Sequence, residues 1–134
     1  PVIGAEDKQA IEPGTIYFAP ANYHLLVERQ KSLALSVQAK VNYSRPSIDV
    51  LFETAADAFC KKLVGVVLTG ANADGAAGLA RVKKMGGLTV VQSPDTAEVA
   101  TMPLAAIKST KVDYVLRLSE IGPFLSGLNI YGEE

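Results

Sequence analysis

The sequence predicts an α/β domain on a doubly wound, mainly parallel (Rossmann-like) sheet, with an antiparallel hairpin near the N-terminus. Three observations carry this. Residues 64–68, Val-Gly-Val-Val-Leu, form a continuous apolar run, as expected of a strand covered on both faces in a parallel sheet. Beyond residue 46, segments with apolar residues at helical spacing alternate with short β-rich runs, and such alternation closes as right-handed parallel crossovers. Before residue 40 the period is two: Leu33, Leu35 and Val37 alternate with small or polar residues, the pattern of a half-buried strand.

Along the chain, Pro13-Gly14 marks a turn, and residues 15–19, Thr-Ile-Tyr-Phe-Ala, are rich in β-formers. Pro20-Ala21-Asn22 breaks that run. Residues 24–27 form a second short strand, and Gln30-Lys31-Ser32 turns the chain into the next, so that the first part reads as an antiparallel meander or hairpin. Ser47, after Pro46, is placed to cap a helix, with Asp49 in its first turn favouring the dipole. Ile48, Leu51, Phe52, Ala55, Ala56 and Phe59 share one helical face, and Lys61 and Lys62 close it with favourable charge. After the 64–68 strand and a glycine-rich turn, the spacing predicts a helix over 76–85 ended by Gly86-Gly87, then a strand over 88–92. A loop over 93–102 leads to a short helix opened by Pro103, a strand over 112–116, and a last helix capped by Ser119 and running to residue 128. Residues 132–134 read as a tail.

Composition narrows the function. The 134 residues are 49% hydrophobic and 20% charged, the size and balance of one globular domain. A net charge of −1 excludes the basic footprint of a nucleic-acid binder. No apolar run approaches the roughly 18 residues of a membrane span, so no membrane insertion is expected. The lone Cys60 cannot form an intrachain disulfide and no secretory leader is visible, which makes the cytoplasm the expected location. Metal chemistry is not expected either, because zinc sites need several Cys, His or carboxylate ligands and the pool here is thin.

The most informative stretch is residues 68–79, Leu-Thr-Gly-Ala-Asn-Ala-Asp-Gly-Ala-Ala-Gly-Leu, between an apolar strand and a helix. Open α/β sheets bind ligands at the carboxyl ends of their strands, where this stretch lies. Gly70, Gly75 and Gly78 permit unusual dihedrals or close packing. Asp74 reads in two ways: as a helix N-cap, or as an acid that orients a catalytic histidine. The glycines fit neither Walker A, which needs Gly-Lys-Ser/Thr, nor the dinucleotide G-x-G-x-x-G spacing. Ser47, Ser93 and Ser119 sit outside any G-x-S-x-G elbow and read as caps or loop formers. Cys60 reads as a core thiol. His24 is the only histidine, so any Ser-His or Cys-His mechanism within this chain alone must use it; a lone histidine is more often structural.

Residues 69–79 resemble the signature of bacterial chemotaxis protein-glutamate methylesterases. Three further blocks agree in order: residues 18–25, Phe-Ala-Pro-Ala-Asn-Tyr-His-Leu; residues 44–52, Ser-Arg-Pro-Ser-Ile-Asp-Val-Leu-Phe; and residues 97–103, Ala-Glu-Val-Ala-Thr-Met-Pro. The resemblance runs from residue 11 to residue 128 and is closest to stand-alone members without a receiver domain. It implies a hydrolase that uses a Ser-His-Asp triad and water, without a cofactor, to cleave the methyl ester of a glutamate on methyl-accepting chemotaxis receptors, and that can deamidate receptor glutamine. Asp74 matches the triad acid. Gly70, Ala71 and Asn72 lie where the family lines its active site. Many members have Met-Gly in place of Ala71-Asn72, and a backbone amide at Ala71 would serve an oxyanion as well, since that donor is main chain. His24 matches a second, non-triad histidine near the cleft and Arg45 a family arginine; both are substrate-cleft candidates.

The family's serine, in a Gly-x-Ser-x-Gly-Gly turn, and its catalytic histidine both precede the region covered here. The resemblance therefore implies that residues 1–134 are the C-terminal part of a single catalytic domain, with about a third of a typical domain outside it. The chain alone is expected to be inactive. It is also expected to dimerise through an open sheet edge or to sit beside its own missing segment. The alternative from a different class is a non-catalytic module that keeps the fold to hold a receptor or scaffold partner; a nucleotide-binding α/β protein is a third, weaker reading.

Overall fold

Two β pairs precede a parallel sheet, and one helix bridges them. The computed structural model describes residues 1–128, so the expected tail at 132–134 lies outside the described residues. The elements run β1 (Val2–Gly4), β2 (Ile16–Phe18), β3 (His24–Val27), β4 (Leu33–Ser36), α1 (Ile48–Phe59), β5 (Val64–Val67), α2 (Ala76–Lys84), β6 (Leu88–Gln92), α3 (Thr101–Ser109), β7 (Tyr114–Leu116) and α4 (Leu118–Ser126). The last three strands form a parallel sheet in the order β5-β6-β7, with Val66 opposite Val90 and Val91 opposite Val115. This is the expected doubly wound core. Among the described residues β5 pairs only with β6, which leaves its outer edge open.

β3 and β4 make the expected antiparallel hairpin, with Leu25 opposite Leu35. The meander does not extend further back. β2 instead pairs in parallel with β1, a strand of three residues too short to show a period in the sequence. Val2, Ile16 and Phe18 are left exposed on that pair.

Helix α1 starts where Ser47, in extended conformation, accepts a hydrogen bond from the Val50 amide at 3.4 Å. Its two apolar flanks meet two cores. Leu51 packs on Ala5, Leu25 and Leu33 of the β1–β4 layer, and Phe52 packs on Val67, Leu79, Val91 and Ala106 between the parallel sheet and α2–α3. Lys61 and Lys62 lie beyond the helix, in a 3₁₀ turn over Cys60–Lys62. That turn begins at Cys60, whose φ of 51° ends the α-helical ladder.

Three boundaries differ from expectation, each through a side chain. α3 begins at Thr101 rather than Pro103; Pro103 falls within the first turn, where a missing N–H breaks no helical bond. β7 begins at Tyr114 rather than residue 112, because the Asp113 carboxylate takes the Thr89 N–H (2.9 Å) that a longer ladder would use. α4 is capped not by Ser119, which lies inside the helix, but by Glu120, whose Oε1 accepts from the Arg117 amide at 2.8 Å.

Asp113 also bonds Lys83 Nζ at 2.6 Å and Thr89 Oγ1 at 3.0 Å. Lys83 beside it, and then the Thr89 donors, hold its pKa below the ordinary aspartate value. A depressed carboxylate stabilises the fold above its unfolded pKa of about 3.9 and loses that contribution as pH falls through the folded value. Asp113→Asn is therefore expected to lower the melting temperature at pH 7, by the equivalent of about 1 kcal/mol or less given the partial exposure of the pair. Thermal melts at pH 7 and pH 2.5 check this; a deficit just as large at the lower pH contradicts it.

Candidate active site

The glycine-rich segment after β5 forms the loop that the sequence places at the carboxyl end of the strand. It is anchored against the 97–103 segment. The Gly70 amide donates to the Val99 carbonyl and the Met102 amide to the Gly70 carbonyl, both at 3.0 Å. Thr69 takes its amide to buried Gln92 Oε1 (3.0 Å) and its hydroxyl to Val99. The space where a Gly70 side chain would begin is filled by Met102. Two of the four sequence blocks thus meet here.

The loop's tip carries Ala71, which is exposed, and Asn72, which shapes the turn. Asn72 Oδ1 accepts from the Asp74 amide at 2.8 Å, an Asx turn, and its Nδ2 reaches Ser44 Oγ at 3.4 Å. Gly75 follows with φ of 105°, a conformation that favours glycine, and α2 begins with no side-chain cap of its own.

Asp74 is buried, at 2% exposure, and caps not its own helix but the neighbouring one. Its Oδ2 accepts from the Ile48 amide at 2.5 Å, and its Oδ1 from Ser47 Oγ (2.7 Å), Asn42 Nδ2 (3.0 Å) and the Asp49 amide (3.3 Å). Asp49, in the first turn of α1, returns the arrangement. Its Oδ1 accepts from the amides of Gly75 (2.9 Å) and Gly78 (2.7 Å) at the start of α2. Each carboxylate therefore serves the other helix's N-terminus, where free N–H groups and the dipole favour an anion. Asn42 joins the two, its Nδ2 lying 2.8 Å from Asp49 Oδ2 as well. Carboxylate oxygens accept, and the groups around both are donors.

The helices lie side by side with their N-termini at one end. Gly78 makes that approach possible, since a Cβ there would sit 2.6 Å from Phe52 Cβ and 3.0 Å from Asp49 Cα. Further along, Arg81 holds Asp57 through Nε (3.1 Å) and Nη2 (3.0 Å).

His24 stands behind this cluster, 2% exposed. Its Nε2 bonds the Ala39 carbonyl at 2.9 Å and its Nδ1 accepts from the Ser47 amide at 3.2 Å, so the partners assign the ring proton to Nε2. His24 thereby supports Ser47, which in turn holds Asp74. Arg45 is half-buried and turns its Nη1 to the carbonyls of Val37 (3.0 Å) and Gln38 (3.2 Å), with its Nε shielded and unpartnered. The structure thus gathers His24 and Asp74 around Ser47 and the α1 N-terminus, ties Asn72 to the Asp74 amide and Ser44, and directs the Arg45 fork to the 37–38 backbone.

Asn42 and the return role of Asp49 lie outside the sequence-derived candidates. Asn42 is 32 residues from Asp74 in the chain and in no periodic segment, so nothing local signals it. Among the described residues no set of three His, Cys, Asp or Glu side chains could hold a metal ion, and no helix is long and apolar enough to cross a membrane.

Comparison with known proteins identifies the family. Residues 1–125 match the family model described as CheB methylesterase. A Hydrogenovibrio crunogenus protein named protein-glutamate methylesterase/protein-glutamine glutaminase is 44% identical over 123 residues, covering 90% of this chain and 33% of that protein. A Leptospira interrogans protein with the same two activities in its name is 58% identical over 117 residues, 87% of this chain and 61% of the relative. The crystal structure of the Thermotoga maritima CheB methylesterase catalytic domain superposes with a TM-score of 0.86 at 34% identity, over 91% of this chain and 66% of that one. The present chain thus spans about three-fifths of the Leptospira relative and two-thirds of the Thermotoga domain. With the family model matched over residues 1–125 and the fold shared with a catalytic domain of that family, the chain belongs to the CheB methylesterase family.

Proposed function

We propose that residues 1–134 are the C-terminal part of a protein-glutamate methylesterase domain, and that Asp74 is the acid of its Ser-His-Asp triad. The observation that carries this is the placement of Asp74: buried, in the loop after the carboxyl end of β5, and held by four donors. Of these, only the Ile48 amide reaches Oδ2, so that oxygen has a lone pair left for a histidine N–H supplied by the rest of the protein.

In this reading the serine oxygen adds to the ester carbonyl of a receptor glutamate while the histidine takes its proton. The amide of Ala71, an exposed residue at the loop tip, is a candidate donor to the oxyanion, whereas the Gly70 amide is spent on Val99. The ester C–O bond breaks and the histidine proton leaves with methanol. Water then adds to the acyl-enzyme and frees the glutamate carboxylate. Asp74 holds the imidazole in its tautomer and stabilises the imidazolium. Glutamine follows the same path with ammonia as the leaving group. The partners are chemotaxis receptors, the location is the cytoplasm, and no cofactor takes part. Arg45 remains a cleft candidate, whereas His24, buried with both ring nitrogens bonded, acts through Ser47 rather than by contact with substrate. The open β5 edge is covered by the protein's remaining strands or by a second copy.

Methanol release from a methylated receptor tests this directly. The whole gene product is expected to turn over and residues 1–134 alone are not, since losing a triad serine or histidine removes about six orders of magnitude in rate. Light scattering on residues 1–134 is expected to show dimers or larger species. Equal turnover by both preparations overturns the fragment reading, and no turnover by the whole product overturns the activity.

A further inference from the structure

We infer that Asn42 is a positioning residue for the triad acid, setting the aim of Asp74 by clamping it to Asp49. This rests on the reading of Asp74 as that acid. Asn42 sits in a tight turn closed by two backbone hydrogen bonds between Val41 and Ser44, at 3.0 and 2.8 Å. Its φ of 53° turns the chain there, and Tyr43 follows at 64°. The turn delivers a neutral amide between two carboxylates that would otherwise face each other without a shared donor. One nitrogen serves both, at 2.8 Å to Asp49 Oδ2 and 3.0 Å to Asp74 Oδ1. An amide NH2 has two protons, one for each.

The clamp acts on orientation. The helix amides and Ser47 hold Asp74 from the α1 side only. Asp49 fixes the loop's other end through Gly75 and Gly78. Asn42 ties the two carboxylates together, so a carboxylate rotation at 74 has to break a bond to a group anchored on the opposite helix. A triad needs such definition, because misplacement near 1 Å costs about 100-fold in rate. The ionisable groups facing Asn42 are Asp49 on α1 and Asp74 on the loop before α2. His24 on β3 lies beyond Ser47, and the Arg45 guanidinium is turned to the Val37 and Gln38 carbonyls.

The positive φ offers a clean test, because glycine and aspartate both tolerate it. Asn42→Gly removes the amide and keeps the turn; Asn42→Asp keeps the shape and adds a third carboxylate. Both are made in the whole gene product beside Asp74→Asn, with circular dichroism at the assay temperature to show that each is folded. Asn42→Gly is expected to lower kcat by about 10- to 100-fold with KM within about twofold. For Asn42→Asp, kcat relative to the native protein is expected to rise as pH falls, because a protonated carboxyl at 42 again donates one hydrogen bond. Loss of folded enzyme would also lower kcat at unchanged KM, which the circular dichroism control excludes, and it would not raise the ratio of Asn42→Asp to native kcat as pH falls. Asn42→Gly with native kcat, alongside an inactive Asp74→Asn, overturns the inference and leaves the function standing. Native kcat in Asp74→Asn overturns both.

Discussion

Replacing Asp74 by asparagine in the whole gene product is expected to lower kcat by about 10⁴-fold, the scale seen when a triad acid becomes an amide and the histidine is held in the wrong tautomer. The structure adds a second expectation. Asparagine keeps one acceptor and introduces two donors, and all four partners of the Asp74 carboxylate, two side chains and two backbone amides, are themselves donors. With the amide oxygen kept at the crowded position beside Ser47, Asn42 and Asp49, its nitrogen faces the Ile48 N–H, 2.5 Å away. Opposed buried donors cost about 1–3 kcal/mol, so the melting temperature falls together with the rate. Turnover on a methylated receptor and a thermal melt measure the two effects separately. A folded Asp74→Asn protein with kcat within tenfold of native removes Asp74 from the triad and leaves it a capping residue.

The second large effect belongs to Gly78. An alanine Cβ would meet Phe52 Cβ at 2.6 Å and the Asp49 backbone at 3.0 Å, so the helices have to part. Overpacking of this kind costs about 1–3 kcal/mol. Parting them also weakens the 2.7 Å bond from the Gly78 amide to the Asp49 carboxylate, and bonds to charged groups contribute about 1.5–3 kcal/mol. The gain in helix propensity from glycine to alanine, about 1 kcal/mol, offsets part of this. A net loss of about 3 kcal/mol, or roughly 10 °C in melting temperature, follows for Gly78→Ala. Gly122→Ala is the internal control, because a Cβ at that helical position meets nothing within 4 Å. If the two variants melt together, the close helix approach is not what Gly78 provides. Because Asp49 is linked to Asp74 through Asn42, the same substitution is expected to lower kcat in whatever fraction stays folded.

Much of the parallel core was legible in the residues. The apolar run at 64–68, the helical spacing of Ile48, Leu51, Phe52, Ala55, Ala56 and Phe59, and the Gly86-Gly87 stop all correspond to observed elements within a residue or two. These signals are local: a strand buried on both faces needs consecutive apolar residues, and a helix packed on one flank needs them every three to four. The alternation of strand and helix then sets the parallel topology through the handedness of the crossover. The loop before α2 was also marked, because it follows the carboxyl end of a strand in an open α/β sheet, although spacing alone left Asp74 as either a helix cap or a catalytic acid.

Tertiary structure decided what Asp74 does with its oxygens. On spacing, an aspartate one residue ahead of Gly75 caps the helix it precedes; in the fold it caps α1, from 26 residues away, while Asp49 serves α2. Similar reasons explain the shortened β7, where Asp113 replaces a ladder bond, and the parallel β1–β2 pair, whose three-residue strands carry no period. A hydrogen bond between a side chain and a distant backbone amide leaves no repeat in the sequence, since its partners are set by how two helices pack and not by their spacing along the chain. Which loop is the candidate site is thus written in local residue types. How its carboxylate is aimed depends on Gly78 letting α1 and α2 touch, which brings Asn42, Asp49 and Asp74 within hydrogen-bond reach of one another.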